Sequence, residues 1–557
     1  MRWNDQGMAR DLLLLGGFAL VCFLPSLGMA PLFDWDEINF AESAREMLVT
    51  GNYFQVQIDF KPFWEKPPLF IWMQALSMKI FGVTAFAARL PNALVGVCTL
   101  MALYIQGSRL RGRNYGKVLT ALYLVSLLPF LYFKSGIIDP TFNFFIFMGV
   151  MKIVAFERAP QGQKPGTAPL WAGFWIGVAT LAKGPVALLV PGLVYVLYKL
   201  IWDRRNIPWI ALVQFTVVYG LVVLSWFGSI ILFTEDGWET VRKFMAYQAE
   251  LFSQAVAGHE QPFFYHFLVF LLGCFPLSAF AFRGMGLRGL PPSDLVLRNM
   301  MLVWFWVVLI LFSIVRTKIV HYSSMLYFPG AFLAADSMVR LWQEQRRPGW
   351  DVLGMYALGL LVLGGATVGV NAIVTQLPWL QAHATDRFMR SALGAEVAWT
   401  GWEFLPGLVF ILAGSVGAVC LWKARYRAFF ISMLIGMPLF INGLNLLVLP
   451  RVADYSQNTA IRFFREKSRE DAYLMVQAYK SYAHYFYGEV KPFPHSEIPE
   501  DRREAWMANG PIDKPVYMVS RIDRATPEFE GWFVNFHRIG EENGFVFYKR
   551  ELPETRP

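Results

Sequence analysis

Residues 12–37 read LLLLGGFALVCFLPSLGMAPLFDWDE, an apolar run followed at once by Asp34, Asp36 and Glu37 around Trp35. Roughly 20 apolar residues cross about 30 Å of hydrocarbon as a helix, which alone satisfies its own backbone there. A charged side chain costs about 2.5–3.5 kcal/mol at the centre of such a helix, so charge goes to helix ends or cavities. Three carboxylates at the mouth of this run therefore mark one wall of a site as well as the end of a span. Comparable runs recur along the chain, centred from Ala19 and Val97 through Phe147 and Phe270 to Ile411 and Leu434. They predict about thirteen spans. Of the 557 residues 55% are hydrophobic and 16% charged, with runs apolar all round, which excludes a soluble bundle of amphipathic helices.

The connectors alternate in character. Arg109, Arg111, Arg113 and Lys117, then Arg346 and Arg347, then Lys423, Arg425 and Arg427 make short basic connectors, which the positive-inside rule assigns to the cytoplasm. This places the amino terminus inside and the carboxyl terminus outside, and accounts for the net charge of +9 without a nucleic-acid partner. Cys22, Cys98, Cys274 and Cys420 all lie in apolar runs, with no C-x-x-C spacing, and read as small core residues.

The opposite connectors are long. Residues 33–88 and 234–261 carry helical patterns of their own, expected to lie along the membrane surface and roof a cavity. In the first, Phe40, Ala44, Met47 and Leu48 form one apolar face that stops at Thr50-Gly51, and a second helix runs from Pro67 to about Phe81. Trp238–Ser253 is the third. From about Arg451 charges of both signs mix, and Ala472–Tyr479, Val516–Ser520, Phe533–His537 and Phe545–Tyr548 read as short strands. The expected fold is an all-α polytopic membrane domain over residues 1–450 and a small α/β domain over 451–557.

Several charged groups fall on the side that is poor in basic connectors. Asp34 and Glu37 have capping-box spacing; Asp34 is the expected cap, leaving Asp36, with Glu37 beside it, for chemistry. In Glu65-Lys66-Pro67-Pro68 the proline keeps Lys66 extended, so its ammonium can reach a phosphate while Glu65 orients it or holds a divalent ion. A surface ion pair is the plainer reading of that motif. Asp139 before Pro140 could be only a helix cap, and Lys183 before Gly184-Pro185 could snorkel to headgroups; an anionic ligand accounts for both. Arg316, Lys318, His321 and Tyr322 lie between two spans and read as an anion clamp or an interfacial anchor. Cations and carboxylates gathered at one rim suit a phosphate-bearing lipid: the cations neutralise the phosphate and the carboxylates contact a sugar.

The block Asp34-Trp35-Asp36-Glu37, Ala41-Glu42, Met47, Gly51, Glu65-Lys66-Pro67-Pro68-Leu69 and Ala87-Ala88-Arg89-Leu90-Pro91 resembles the bacterial aminoarabinose transferases of lipid A. These are grouped with protein O-mannosyltransferases among the GT-C glycosyltransferases. Asp139, Lys183-Gly184-Pro185 and the Arg316–Tyr322 stretch recur at matching points. The resemblance implies a bacterial inner-membrane enzyme, monomeric, whose site and carboxyl-terminal domain face the periplasm. It implies transfer of 4-amino-4-deoxy-L-arabinose from undecaprenyl phosphate to a lipid A phosphate, with Asp36 and Asp139 as the acidic pair. Lys66 is then a carrier-phosphate ligand, and Glu65 a ligand of any divalent ion; no other cofactor is implied. Two other readings stay open from the residues themselves: the same transfer to a protein Ser/Thr or another glycan, and a lipid or solute transporter. Transporters favour ionisable groups near the bilayer midplane, whereas these lie at one rim.

Overall fold

The computed structural model describes residues 5–159, 166–203, 208–234, 236–253, 261–287, 289 and 291–552. Residues 235 and 254–260 of the second long connector lie outside the described residues. Among the described residues seven helices are long and apolar enough to cross a membrane, from Ala85–Arg111 to Tyr426–Asp454. An eighth arises if Tyr265–Gly273 and Leu277–Met285, bent by 115°, form one crossing. Other apolar runs are shorter or interrupted helices. The run about Val125 breaks between Arg113–Leu124 and Leu127–Tyr132, and the Leu127 amide donates to the Phe275 carbonyl at 3.1 Å. Two broken runs thus meet and satisfy each other's backbone.

One end of the bundle is tied by ion pairs: Arg111 and Arg158 with Asp294, Arg113 with Asp11, and Arg283 with Asp351. The other end carries the long connectors. Asp36–Thr50 and Leu69–Phe81 are helices, the first stopped by Gly51 in the left-handed region (φ 70°), whose amide caps Met47. Gly237–Ser253 is the third roof helix. The Asp36–Thr50 helix is buried on nearly every side rather than along one face. A second body covers it: Ile38, Ala41, Ala44 and Met47 share a core with Ile461, Phe464, Phe486, Val519 and Phe547. Arg45 of this helix donates to Glu42 and, across to that body, to the Val490 carbonyl.

That second body is the carboxyl-terminal α/β unit. Besides the small hairpin β1 (Gln57–Ile58) and β2 (Lys61–Pro62), the strands are β3 (Tyr473–Val476), β4 (Val516–Arg521), β5 (His537–Glu542) and β6 (Phe545–Arg550). The sheet order is β3-β4-β6-β5, with β3 parallel to β4 and the other pairs antiparallel. The strand expected at Phe533–His537 lies later, because Asn543-Gly544, both at positive φ, make the turn that pairs Glu542 with Phe545. Phe533 and Phe536 pack instead against the core of Met518, Val546 and Tyr548. The unit is pinned to the first connector by backbone bonds: Leu32 N to the Tyr487 hydroxyl (2.7 Å) and Asp34 N to Gln457 Oε1 (3.1 Å).

Candidate active site

Two helix starts, one helix end and two turns converge on one cavity of about 110 Å³ at the connector-rich end. Asp36 opens the first roof helix, and Asp139 opens Asp139–Glu157. Lys183 closes Ala168–Lys183, Lys66 precedes the prolines before the second roof helix, and His321 and Tyr322 sit on the 3₁₀ turn Val320–Leu326. All six line the cavity with Phe40, Phe142, Asn143 and Gln248. Carboxylates suit the two helix N-termini, where the backbone amides are unsatisfied.

The charges are held in a chain. Lys183 Nζ lies 2.5 Å from Asp139 Oδ1, and His321 Nε2 lies 3.5 Å from Asp36 Oδ2 and 3.8 Å from Asp139 Oδ2. The Lys183 ammonium also stands over the Tyr322 ring at 5.2 Å, and Lys66 stands over Tyr247 at 5.7 Å. Asp139 is 6% exposed and Asp36 41% exposed, so Asp139 is committed to Lys183 while Asp36 faces the opening. Burial pulls the Lys66 ammonium below the ordinary lysine range, against the pull of Glu65 and Asp36. Burial likewise lowers the His321 pKa against Asp139, which favours the neutral imidazole between the two carboxylates.

Four expectations from the sequence are corrected here. Glu37 does not line the cavity: it is buried and accepts a two-pronged bond from Arg89, with Nε at 2.9 Å and Nη2 at 2.6 Å. It also accepts from the Phe33 and Gly136 amides, and Arg89 goes on to the carbonyls of Leu27, Ala30 and Pro31. Adjacent helical residues point about 100° apart, so Asp36 and Glu37 serve different sides. Asp34 does not cap the helix; Trp35 occupies that position, and Asp34 Oδ1 accepts the Tyr482 amide from the α/β unit. Arg316 is exposed and Lys318 is turned into the protein, donating to the Val315 carbonyl at 2.9 Å; neither lines the cavity. Glu65 stands outside the lining too, with its carboxylate on the Tyr247 hydroxyl and its carbonyl accepting from Gln248. Among the described residues no three His, Cys, Asp or Glu groups are placed to hold one ion together.

Some site residues escaped the sequence reading. Asn143 lies one turn past Asp139 on the same helix face, a spacing that could have pointed to it. Lys480, from the α/β unit, lies over the ring of Trp35, the residue before Asp36, at 4.2 Å but does not line the cavity, and no local pattern announces it.

The chain is similar in sequence and in fold to membrane glycosyltransferases. A family model described as dolichyl-phosphate-mannose-protein mannosyltransferase matches residues 65–227. The undecaprenyl phosphate-α-4-amino-4-deoxy-L-arabinose arabinosyl transferase of Aeromonas hydrophila is 25% identical over 70% of this chain and 70% of its own. That of Photorhabdus laumondii is 25% identical over 79% of this chain and 78% of its own. The crystal structure of ArnT from Cupriavidus metallidurans bound to undecaprenyl phosphate superposes with a TM-score of 0.70, covering 96% of this chain and 97% of that one at 17% identity. The archaeal oligosaccharyltransferase AglB from Archaeoglobus fulgidus gives 0.53 at 11% identity, covering all of this chain and 75% of its own. The resemblance read from the first connector is thus carried by these relatives and by the fold.

Proposed function

We propose that this chain is a membrane glycosyltransferase that moves 4-amino-4-deoxy-L-arabinose from undecaprenyl phosphate to a phosphate of lipid A. The observation that carries this is one cavity in which Lys66 and Lys183 meet Asp36, Asp139 and His321 at the connector-rich end of an apolar bundle. The site and the α/β unit face the periplasm of a bacterial inner membrane, the bundle crosses about thirteen times, and the enzyme works as a monomer.

The reaction is a direct displacement with inversion. An oxygen of the lipid A phosphate forms a bond to the anomeric carbon as the bond from that carbon to the carrier phosphate oxygen breaks. The electron pair leaves with undecaprenyl phosphate. Phosphate is a good leaving group, with a second pKa near ~6, and Lys66 and Lys183 neutralise the charge that develops on it. The attacking phosphate is already anionic, so no strong base is required. Asp36, facing the opening, binds the sugar ammonium and orients the acceptor; Asp139 holds Lys183 in place. Both lysines stand over aromatic rings, cation–π contacts that help to direct their ammonium groups.

Lys66 gives this scheme a pH signature. Its charge is lost as pH rises through its lowered pKa, so the donor KM should climb on the alkaline side earlier than an ordinary lysine would allow. Replacing Lys66 by Met should raise the donor KM roughly ten-fold or more and remove that alkaline limb. Steady-state kinetics across pH reads both effects.

Transfer to a hydroxyl is the second reading, favoured by the mannosyltransferase model over residues 65–227; Asp36 would then serve as the base. Reconstituted protein given the aminoarabinose carrier and lipid A, with mass spectrometry of the product, tests the main reading. Lipid A bearing one added aminoarabinose supports it. Carrier moved across the vesicle without transfer would make the chain a transporter instead.

A further inference from the structure

We infer that Asn143 reads the sugar of the donor, its Oδ1 accepting an N–H or O–H of the group being transferred. This deepens the function proposed above and rests on it. Asn143 lines the cavity and is only 4% exposed. Its Nδ2 donates to Ser324 Oγ at 2.7 Å, and the single Ser324 hydroxyl proton goes to the His321 carbonyl at 2.5 Å. Ser324 can therefore only accept from Asn143, which fixes the amide with nitrogen toward Ser324. The other end of the amide, Oδ1, is buried without a hydrogen-bond partner among the described residues.

A buried acceptor left unpaired is costly, and such atoms in folded proteins have a reason. The chemistry of the cavity says which ligand group could complete this one. An ionised phosphate offers acceptors only, and so do Asp36 and Asp139. A sugar offers hydroxyl and ammonium donors. Asn143 stands one helical turn from Asp139, whose lysine is assigned to the carrier phosphate, and the residue lines the same cavity. The cavity is thereby divided: cations for the phosphate, and Asp36 with the Asn143 oxygen for the sugar. Sites whose buried polar groups pair with a ligand donor reject analogues that lack it far more strongly than apolar pockets reject a methylene.

The test uses the full chain in nanodiscs and compares affinity for aminoarabinose-loaded undecaprenyl phosphate with that for bare undecaprenyl phosphate. The ratio of the two is the readout, because loss of folded protein or of a general fit moves both together. In Asn143→Leu the preference for the loaded lipid should fall about ten-fold, the effect of one hydrogen bond, with bare-lipid binding changed by less than about two-fold. Asn143→Asp keeps an acceptor oxygen and should retain the preference, even where its added charge weakens both lipids. An unchanged ratio in Asn143→Leu, or an equal fall for both lipids, would overturn the inference. Wild-type protein with no preference for loaded over bare lipid would overturn it as well, together with the donor assignment beneath it.

Discussion

Replacing Asp36 by asparagine is expected to lower transfer by roughly 10²–10³-fold while leaving the protein folded. The side chain is 41% exposed and its nearest ion-pair partner is the His321 imidazole 3.5 Å away, whose pKa burial lowers, so little folding energy depends on it. Thermal stability in detergent should change by no more than about 0.5 kcal/mol. The carboxylate's cost appears only in the reaction, where it orients an acceptor and binds a cationic sugar. Single-turnover transfer, measured beside a melting curve, separates the two effects. Near-normal transfer in Asp36→Asn would remove the residue from the mechanism.

The neighbouring residue should behave in the opposite way. Glu37→Gln removes one half of an ion pair whose side chains are 3% and 5% exposed, leaving Arg89 charged and buried. Breaking such a pair costs about 3–5 kcal/mol, enough to deplete folded protein before any kinetic effect can be read. The pair also has a pH sense. Burial pushes the Glu37 carboxyl up, but Arg89 and the Phe33 and Gly136 amides outweigh it and hold the pKa below the ordinary carboxylate range. Its contribution is therefore present above that ordinary range and lost as pH falls through the depressed value. Melting temperature against pH in wild type and Glu37→Gln checks this: the wild-type acid limb should be shallower in the variant.

The contrast between these two residues shows where sequence reading succeeds and where it stops. Charges in an apolar chain are expensive, so Asp36, Lys66, Asp139, Lys183, His321 and Tyr322 stood out as a group, and the cavity unites them. The roof helices were legible because local signals bound them: Gly51 after the first, and the Pro67-Pro68 pair before the second. Glu37 was misread because its partner, Arg89, lies 52 positions away and no local pattern links them. Asp34 looked like a cap for the same reason, its true contact being Tyr482 in a unit more than four hundred residues further on. Asn143 carries no charge and so raised no flag. The buried faces of the first roof helix were invisible too, since only the docked α/β unit makes them interior.

In the proposed reaction one headgroup is gripped by residues from four separate stretches of chain. A structure of this protein with undecaprenyl phosphate-aminoarabinose bound tests that most directly, with the slow Asp36→Asn variant used to hold the donor intact. The phosphate should lie within hydrogen-bond reach of Lys66 and Lys183, with the sugar between residue 36 and Asn143. A headgroup bound elsewhere, or one that leaves both lysines beyond contact distance, would contradict the account.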